Sequence, residues 1–314
     1  MAAKTTKFDF ALITSAYILA LLVAVVVGHL MRDLHPILTI FTADIFGTLV
    51  IYFFGRIYHN ASFYDVYWSI APLVISLFWI FRVSSNKEVT VRQIIVIGLV
   101  FIWGLRLTYN WVRQWQGLKH EDWRYQDLRR KYRSWFWLID LFGIELMPTV
   151  LVFLACLSLY SALAIGERPL GSLDIVAFVI TSTAIVIETM ADEQLRSFML
   201  KRLQTGQIMT RGLWGYSRHP NYFGEVMFWW GLFFFGLAAY PGYWWTLIGP
   251  VLISALFIFI SIPLLEKRSL EKREGYRKLD KKFRLLSHGF LRRNKLVLLS
   301  KWCLILVVYT AELL

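Results

Sequence analysis

Eight apolar runs of about twenty residues each divide this sequence and constrain its fold more than any other feature. About 20 helical residues cross a bilayer core, so runs of this length predict transmembrane helices. The runs lie at about 9–31, 37–55, 63–82, 93–112, 146–165, 172–191, 223–240 and 244–265. A ninth run at 296–312 contains Lys301 and fits either a span or a segment in the membrane interface. Transmembrane β-strands alternate over about ten residues, so we predict an all-α polytopic membrane protein of about seven to nine transmembrane helices.

The chain has a net charge of +13, and its basic residues lie mainly in three of the segments between the runs. Basic residues concentrate in 113–143, 193–221 and 267–295, whereas the connections 31–36, 166–171 and 240–243 contain little charge. All three basic segments fall on one side of the membrane, so the positive-inside rule predicts that this side and the N-terminus are cytoplasmic. The charge therefore indicates contact with anionic membrane lipids and not with nucleic acid. A bacterial inner membrane and an endoplasmic reticulum membrane fit this pattern equally.

Several kinds of site are not indicated by the sequence. The two cysteines, Cys156 and Cys303, both lie in apolar runs, which argues against a disulfide framework or a cysteine metal site. The six histidines are scattered, so we expect no metal centre. The phosphate-binding glycine motifs of soluble nucleotide folds do not occur, so membrane-embedded polar residues must hold any nucleotide cofactor.

The stretch TRGLWGYSRHPNYFGE, residues 210–225, is the strongest candidate for a site. Its glycines and proline interrupt helical structure, and such polar backbone is tolerated at membrane depth only inside protein or beside a wet cavity. The polar side chains are Arg211, Tyr216, Ser217, Arg218, His219, Asn221, Tyr222 and Glu225. We predict a cytoplasm-facing pocket for an anionic ligand. The alternative is a basic loop that serves only membrane orientation.

The third apolar run begins with NASFYDVYWSIAP, residues 60–72. Asp65, Trp68 and Pro72 share one helix face at spacings of three and four. An aspartate that enters a membrane helix is unfavourable unless it faces protein or water. We interpret Asp65 as a pocket acid, with Tyr64 beside it; a cap at the membrane interface is the alternative.

Charged residues near the ends of other runs are further candidates. Arg106 lies inside the fourth run and either binds an anion or snorkels to the interface. Residues 120–135 predict an amphipathic interfacial helix from which Arg124 and Tyr125 can reach a pocket.

Two later segments add candidates on the same side. Glu188, Asp192 and Arg196 follow one helix face at intervals of four. They suit the hydroxyls and phosphates of a nucleotide, or else form a self-contained ion-pair row. After the eighth run, Glu266, Arg273 and Tyr276 are candidates for closing the pocket.

These motifs resemble a known family. GLWGYSRHPNYFGEVMFWWG, together with IETMADEQLRSF and HEDWRY, is similar to the DUF1295 group of the steroid 5α-reductase-like superfamily over about residues 64–284. The resemblance implies NADPH bound at the cytoplasmic ends of the last helices. It puts Asn221 and Glu225 around the nicotinamide and its ribose, and Asp192 near the adenine-side ribose. Including the residues proposed above, the expected cofactor-binding set is Arg106, Arg124, Tyr125, Glu188, Asp192, Arg196, Tyr216, Arg218, His219, Asn221, Tyr222, Glu225 and Tyr276.

The sequence departs from the family where the substrate binds. Steroid reductases hold the substrate ketone with a Gln-Glu pair on an early helix, which this chain lacks, and the ketone-donating tyrosine aligns approximately with Trp103. The expected activity is hydride transfer from NADPH to an activated C=C bond (an enone) of a lipophilic substrate, with steroids as one candidate class. Expected catalytic residues are Asp65, Tyr64 and Glu225, with Tyr67 as a neighbouring alternative.

Two other functions stay open at this point. Membrane methyltransferases of isoprenylcysteine type share an RHPxY motif that holds S-adenosylmethionine, and a non-catalytic lipid-binding protein can retain such a cavity. We expect membrane lipids and a lipophilic small molecule as partners, and the oligomeric state is open. We divide the chain into N-terminal transmembrane helices (1–60), a catalytic domain (61–290) and a hydrophobic C-terminal extension (291–314).

Overall fold

The computed structural model describes residues 7–83, 88–201, 207–273 and 275–276, and these residues form helices and no strand. The α-helices are α1 Lys7–Leu30, α2 Pro36–Ile57, α3 Tyr67–Val83, α4 Val91–Gln114, α5 Trp123–Tyr132, α6 Phe136–Leu138, α7 Met147–Tyr160, α8 Ser172–Lys201, α9 Pro220–Ala239, α10 Ile248–Leu256 and α11 Ile262–Lys272. The prediction of an all-α protein is confirmed.

Within these described ranges, eight helical runs are long and apolar enough to cross a membrane. They are Lys7–Leu30, Pro36–Ile57, Ala61–Arg82, Val91–Gln114, Trp123–Ile165, Ser172–Lys201, Pro220–Ala239 and Pro241–Lys272. The eight runs correspond one to one to the eight predicted from the sequence, which confirms a multi-pass membrane protein. The ninth predicted run, 296–312, and the extension 291–314 lie outside the described residues.

The fifth run is longer than the sequence indicates. It was expected to begin at about residue 146, but helical turns extend from Trp123 to Ile165, with a break at Arg133, where φ is +41°, and with π-helical turns at Ile139–Leu146 and Ser161–Ile165. Pro148 sits in the first turn of α7. Proline has no amide hydrogen and its ring crowds the preceding turn, which accounts for the widened π-helical backbone just before it.

The chain divides into two compact units. Unit 1 comprises Met1–Ser182 and Phe228–Ile253. In it α1 packs on α2 and α3 packs on α4. Its core includes the fully buried Trp103, whose ring stacks on Phe228 at 4.5 Å between centroids. A buried pair, Arg92 and Asp174, ties the start of α4 to the start of α8 with hydrogen bonds of 2.7 and 2.8 Å.

Unit 2 comprises Thr183–Met227 and Ser254–Leu314. Its described part contains the second half of α8, the glycine-rich stretch 210–225 and α11. α11 follows directly on a π-helical turn, Phe257–Ser261, and begins with Pro263 in its first turn. Ten of the thirteen predicted cofactor-binding residues belong to this unit; the other three, Arg106, Arg124 and Tyr125, belong to unit 1.

Candidate functional site

Hydrogen bonds from one backbone amide and one side chain attach the stretch 210–225 to the second half of α8. Gly212 has a positive φ of +59°, a conformation that favours glycine, and it lies against the side chain of Gln194. The amide of Leu213 donates to Gln194 Oε1 at 2.9 Å, and the indole of Trp214 donates to the carbonyl of Ala191 at 2.9 Å. These bonds explain why a glycine-rich segment holds a defined position beside α8.

Gly224 brings α9 into close contact with α8. A Cβ atom at Gly224 would lie 2.8 Å from the carbonyl oxygen of Ala184 and 2.7 Å from Cβ of Glu188. Only glycine permits this approach without a shift of the backbone. The carboxylates of Glu188 and Glu225 are both buried, each residue being 4% exposed.

A second group of contacts centres on Glu266 of α11. Arg218 Nη1 lies 2.8 Å from Glu266 Oε1, and His219 Nε2 lies 3.6 Å from the same oxygen. The imidazole of His219 stacks on the ring of Tyr222 at 5.5 Å, and Tyr222 contacts Phe257. Arginine, imidazole and two aromatic rings next to a carboxylate form a surface suited to a charged, partly planar ligand.

Asn221 supplies the most informative atom of this site. Its side-chain Oδ1 is buried, and it accepts no hydrogen bond from the part of the chain that the structure describes. A buried acceptor without a partner is destabilising by about 1–3 kcal/mol, so folded proteins normally satisfy such atoms. Asn221 Oδ1 is therefore one atom of this site that a ligand donor would satisfy.

The remaining predicted residues of unit 2 occupy varied environments. Tyr276 is buried at 6% exposure, whereas Tyr216 is 89% exposed. Arg196 makes an ion pair of 3.3 Å with Glu193 on the same helix. The sequence analysis placed Arg196 in a row with Glu188 and Asp192 and did not name Glu193, which is the acid that pairs with it. Whether these residues contact a cofactor stays a prediction.

A groove of about 540 Å³ runs along the end of α8 and was not predicted. Its volume lies within the range of small-molecule sites. It is lined by Met190, Glu193, Gln194, Ser197, Phe198, Lys201, Met209 and Arg211. The groove has two cations, Lys201 and Arg211, one acid, Glu193, and apolar walls from Met190, Phe198 and Met209.

In unit 1 two of the predicted motifs bind each other. We call this set of contacts, between residues 60–65 and 118–125, the clasp. Asn60 is buried and donates to the carbonyls of Leu118 and His120 at 2.7 and 3.1 Å. The amide of Ala61 donates to Glu121 Oε1 at 2.9 Å, and Tyr125 donates its hydroxyl to Asp65 Oδ1 at 2.8 Å.

The clasp affects how Asp65, Arg124 and Tyr125 are interpreted. Arg124 pairs with Asp122 at 2.8 Å and lies over the ring of Tyr125, while Asp65 accepts the tyrosine hydroxyl. Each side chain thus has a partner inside the clasp. Roles for them in a pocket stay predictions, and the structure offers a structural role for each. Arg106 lies half-buried on α4 in the same unit.

A cleft between α1, α2 and α3 contains an acid that was not predicted. Asp44 is buried in the middle of α2, and its Oδ1 accepts a hydrogen bond of 2.8 Å from the hydroxyl of Tyr67. Both line a cleft of about 60 Å³ whose other walls are apolar apart from Tyr17. Tyr64, a predicted catalytic residue, bonds instead to Thr149 at 2.8 Å. An aspartate eight residues into an apolar run was itself a sequence signal of function.

Comparison with known proteins agrees with the resemblance seen in the sequence. A family model described as a protein of unknown function, DUF1295, matches residues 51–283. The protein "Uncharacterized protein C594.04c" of Schizosaccharomyces pombe (strain 972 / ATCC 24843) is 29% identical over 241 residues, which are 69% of this chain and 70% of that protein. No solved structure matches the chain. The chain therefore belongs to the DUF1295 family, which is part of the steroid 5α-reductase-like group.

Proposed function

We propose that this protein is a membrane-embedded, NADPH-dependent reductase of an activated C=C bond in a lipophilic substrate. Membership of the steroid 5α-reductase-like group makes a reductase the first candidate. The observation that carries the proposal is Asn221, whose buried amide oxygen is without a hydrogen bond among the described residues and lies one residue from the start of α9. The carboxamide of a nicotinamide ring offers the N–H donor that this oxygen needs.

The residues around Asn221 fit the rest of such a cofactor. Arg218, already oriented by Glu266, supplies positive charge for a pyrophosphate, His219 supplies an imidazole N–H, and the Tyr222 ring supplies a flat apolar face. Glu188 and Glu225 supply buried acceptors for ribose hydroxyls or the carboxamide. When bound, NADPH supplies the hydride for the β-carbon of an enone.

Coenzyme titration tests the proposal directly. Protein purified in mild detergent is titrated calorimetrically with NADPH, NADH and S-adenosylmethionine. We expect saturable binding of NADPH, weakened about tenfold or more in Asn221→Ala and Glu225→Ala, because about 1.4 kcal/mol of lost interaction is a factor of ten. Gln126→Ala, an exposed amide on α5, is the matched control and keeps full affinity. Binding of S-adenosylmethionine alone would assign the protein to the methyltransferases, and binding of none would end the reductase proposal.

A further inference from the structure

The groove at the end of α8, whose eight lining residues are given above, is made entirely by unit 2. We call it the α8 groove. One wall is the last turns of α8, and the other is formed by Met209 and Arg211. The second wall is held in place just beyond Arg211, where the amide of Leu213 donates to Gln194 at 2.9 Å. The groove is therefore a defined feature of this unit, and its volume of about 540 Å³ accommodates a large part of a small ligand.

The groove and the predicted cofactor residues lie on opposite faces of α8. Glu188 is 4% exposed and lies against the position of Gly224 on α9. Met190 follows Glu188 by two residues, a rotation of about 200° around the helix, and it is 48% exposed. Gln194 and Lys201, four and eleven residues beyond Met190, continue its face. The groove is thus formed by the face of α8 that is turned away from Glu188.

This face of α8 has the exposure expected of a lipid-facing surface. Val186 and Met190 are one turn apart, and these apolar side chains are 54% and 48% exposed. Exposed apolar surface on a membrane-spanning helix marks contact with lipid. About 20 helical residues cross the hydrocarbon core, whereas α8 has 30, and its charged side chains from Asp192 onward place the last turns at the membrane surface. The groove therefore begins beside acyl chains and ends at the level of the headgroups.

The side chains of the groove divide into apolar walls and cations. The apolar walls come from Met190, Phe198 and Met209, and the cations are Lys201 and Arg211. Both cations are exposed, and neither forms an ion pair with a residue in the described part of the chain. Because helical side chains lean toward the start of their helix, the ammonium of Lys201 reaches back toward the membrane. Such a surface is complementary to a molecule that has an anionic head and an apolar chain.

The remaining polar residues of the groove are compatible with an anion. Glu193 pairs with Arg196 at 3.3 Å on the same helix, so a cation already offsets its charge. Ser197 lies half-buried in the groove and offers a hydroxyl donor. Two cations and a hydroxyl group next to apolar walls provide partners for both parts of a phospholipid.

We propose that the α8 groove binds one anionic phospholipid, with its phosphate at Lys201 and Arg211 and an acyl chain along Met190 and Phe198. The proposal does not depend on the reductase function, because the groove lies on the face of α8 that is turned away from Glu188. Lys201 belongs to α8 and Arg211 to the stretch 210–225. A lipid that binds both residues also stabilises the attachment of this stretch to the helix.

The rival explanation is that the groove binds a soluble phosphate compound. Both ligands bring a phosphate to the same two cations, so the loss of these cations alone does not separate them. Only the lipid also uses the apolar walls. The test therefore compares lipids that differ in headgroup charge, and it includes soluble phosphate compounds as competitors.

The experiment is native mass spectrometry of the full chain in detergent after co-purified lipid has been removed. Phosphatidylglycerol and phosphatidylcholine with identical acyl chains are titrated separately. We expect one phosphatidylglycerol to bind more tightly than phosphatidylcholine. We expect the double variant Lys201→Gln/Arg211→Gln to weaken this binding by about tenfold or more, since each basic residue near anionic headgroups contributes a factor of about five. Phe198→Ala should weaken the binding of both lipids, because it removes an apolar wall and no charge.

The double variant Lys131→Gln/Arg133→Gln is the matched control. It removes one lysine and one arginine from exposed positions in unit 1, and it should keep the wild-type affinity for phosphatidylglycerol. Thermal unfolding gives a second measurement: phosphatidylglycerol should raise the unfolding temperature of the wild type and of the control, but not that of the groove variant. Equal binding of the two lipids by the wild type, or equal affinities in the groove variant and the control, would overturn the proposal.

Inorganic phosphate and NADPH are then titrated on the same samples. We expect the groove variant to keep the NADPH affinity of the wild type, because the groove faces away from the predicted cofactor residues of α8. We also expect inorganic phosphate to leave phosphatidylglycerol bound when the two are present at equal concentration. Displacement of the lipid by phosphate, or loss of NADPH binding in the groove variant, would assign the groove to a soluble phosphate compound and overturn the lipid site.

Discussion

Two stretches of this chain carry equally dense polar motifs, and they use their polar groups differently. In the clasp of unit 1, Asn60, Glu121 and Asp65 each bond to a neighbouring segment of the chain. In the stretch 210–225 of unit 2, Asn221 keeps a buried oxygen without a hydrogen bond among the described residues, and Tyr216 is 89% exposed. Motif density alone does not separate a structural brace from a binding site, whereas hydrogen-bond satisfaction does.

The largest effect is expected at the glycine that positions the second stretch. In Gly224→Ala the new methyl group would meet the backbone oxygen of Ala184 at 2.8 Å and the amide nitrogen of Glu188 at 3.0 Å. Backbone atoms cannot rotate away as a flexible side chain can, so we expect a loss of about 3 kcal/mol of stability from overpacking. We also expect weaker NADPH binding, measured by calorimetry on the folded fraction after thermal unfolding has been recorded.

Gly98→Ala is the control for this substitution. Gly98 lies inside α4, and a Cβ there would meet no atom within 4 Å. Alanine favours helix over glycine by about 1 kcal/mol, so this variant should be as stable as the wild type or more stable. Equal behaviour of the two alanine variants would contradict the role given to the Gly224 contact.

The next effect concerns the clasp and is expected to change stability alone. Asn60→Ala removes the cap on the amide of Ser62 and two bonds to loop carbonyls in a residue that is 3% exposed. Groups left unsatisfied in a buried position should lower stability by about 2 kcal/mol. NADPH affinity of the folded protein should not change. A fall in affinity without a fall in the unfolding temperature would make the clasp part of a binding site.

The fold was predictable because its signal is long and repeated. Each apolar run marks one span, and the structure has a helix for each of the eight. The fifth run begins earlier than predicted, because Asp140 and Glu145 interrupt the apolar pattern in the sequence but are buried within helical turns that extend from Phe136 to Leu146. Asn221 and Glu225 are predictions that come from a motif visible in the sequence, whereas the contact of Asp44 with Tyr67, 23 residues away, depends on packing.

The smallest effect is expected at Tyr125, a clasp residue that the sequence analysis assigned to the cofactor. It therefore tests most directly whether the clasp and the stretch 210–225 have different roles. Tyr125→Phe removes the hydroxyl that donates to Asp65 at 2.8 Å but keeps the ring under Arg124. One lost hydrogen bond should lower stability by about 1 kcal/mol, measured by thermal unfolding, and should leave NADPH affinity at the wild-type value. Asp65→Asn keeps an acceptor for the same hydroxyl and should be milder still. If Tyr125→Phe instead weakens NADPH binding at unchanged stability, the clasp residue belongs to the cofactor site, and hydrogen-bond satisfaction would no longer separate the two stretches.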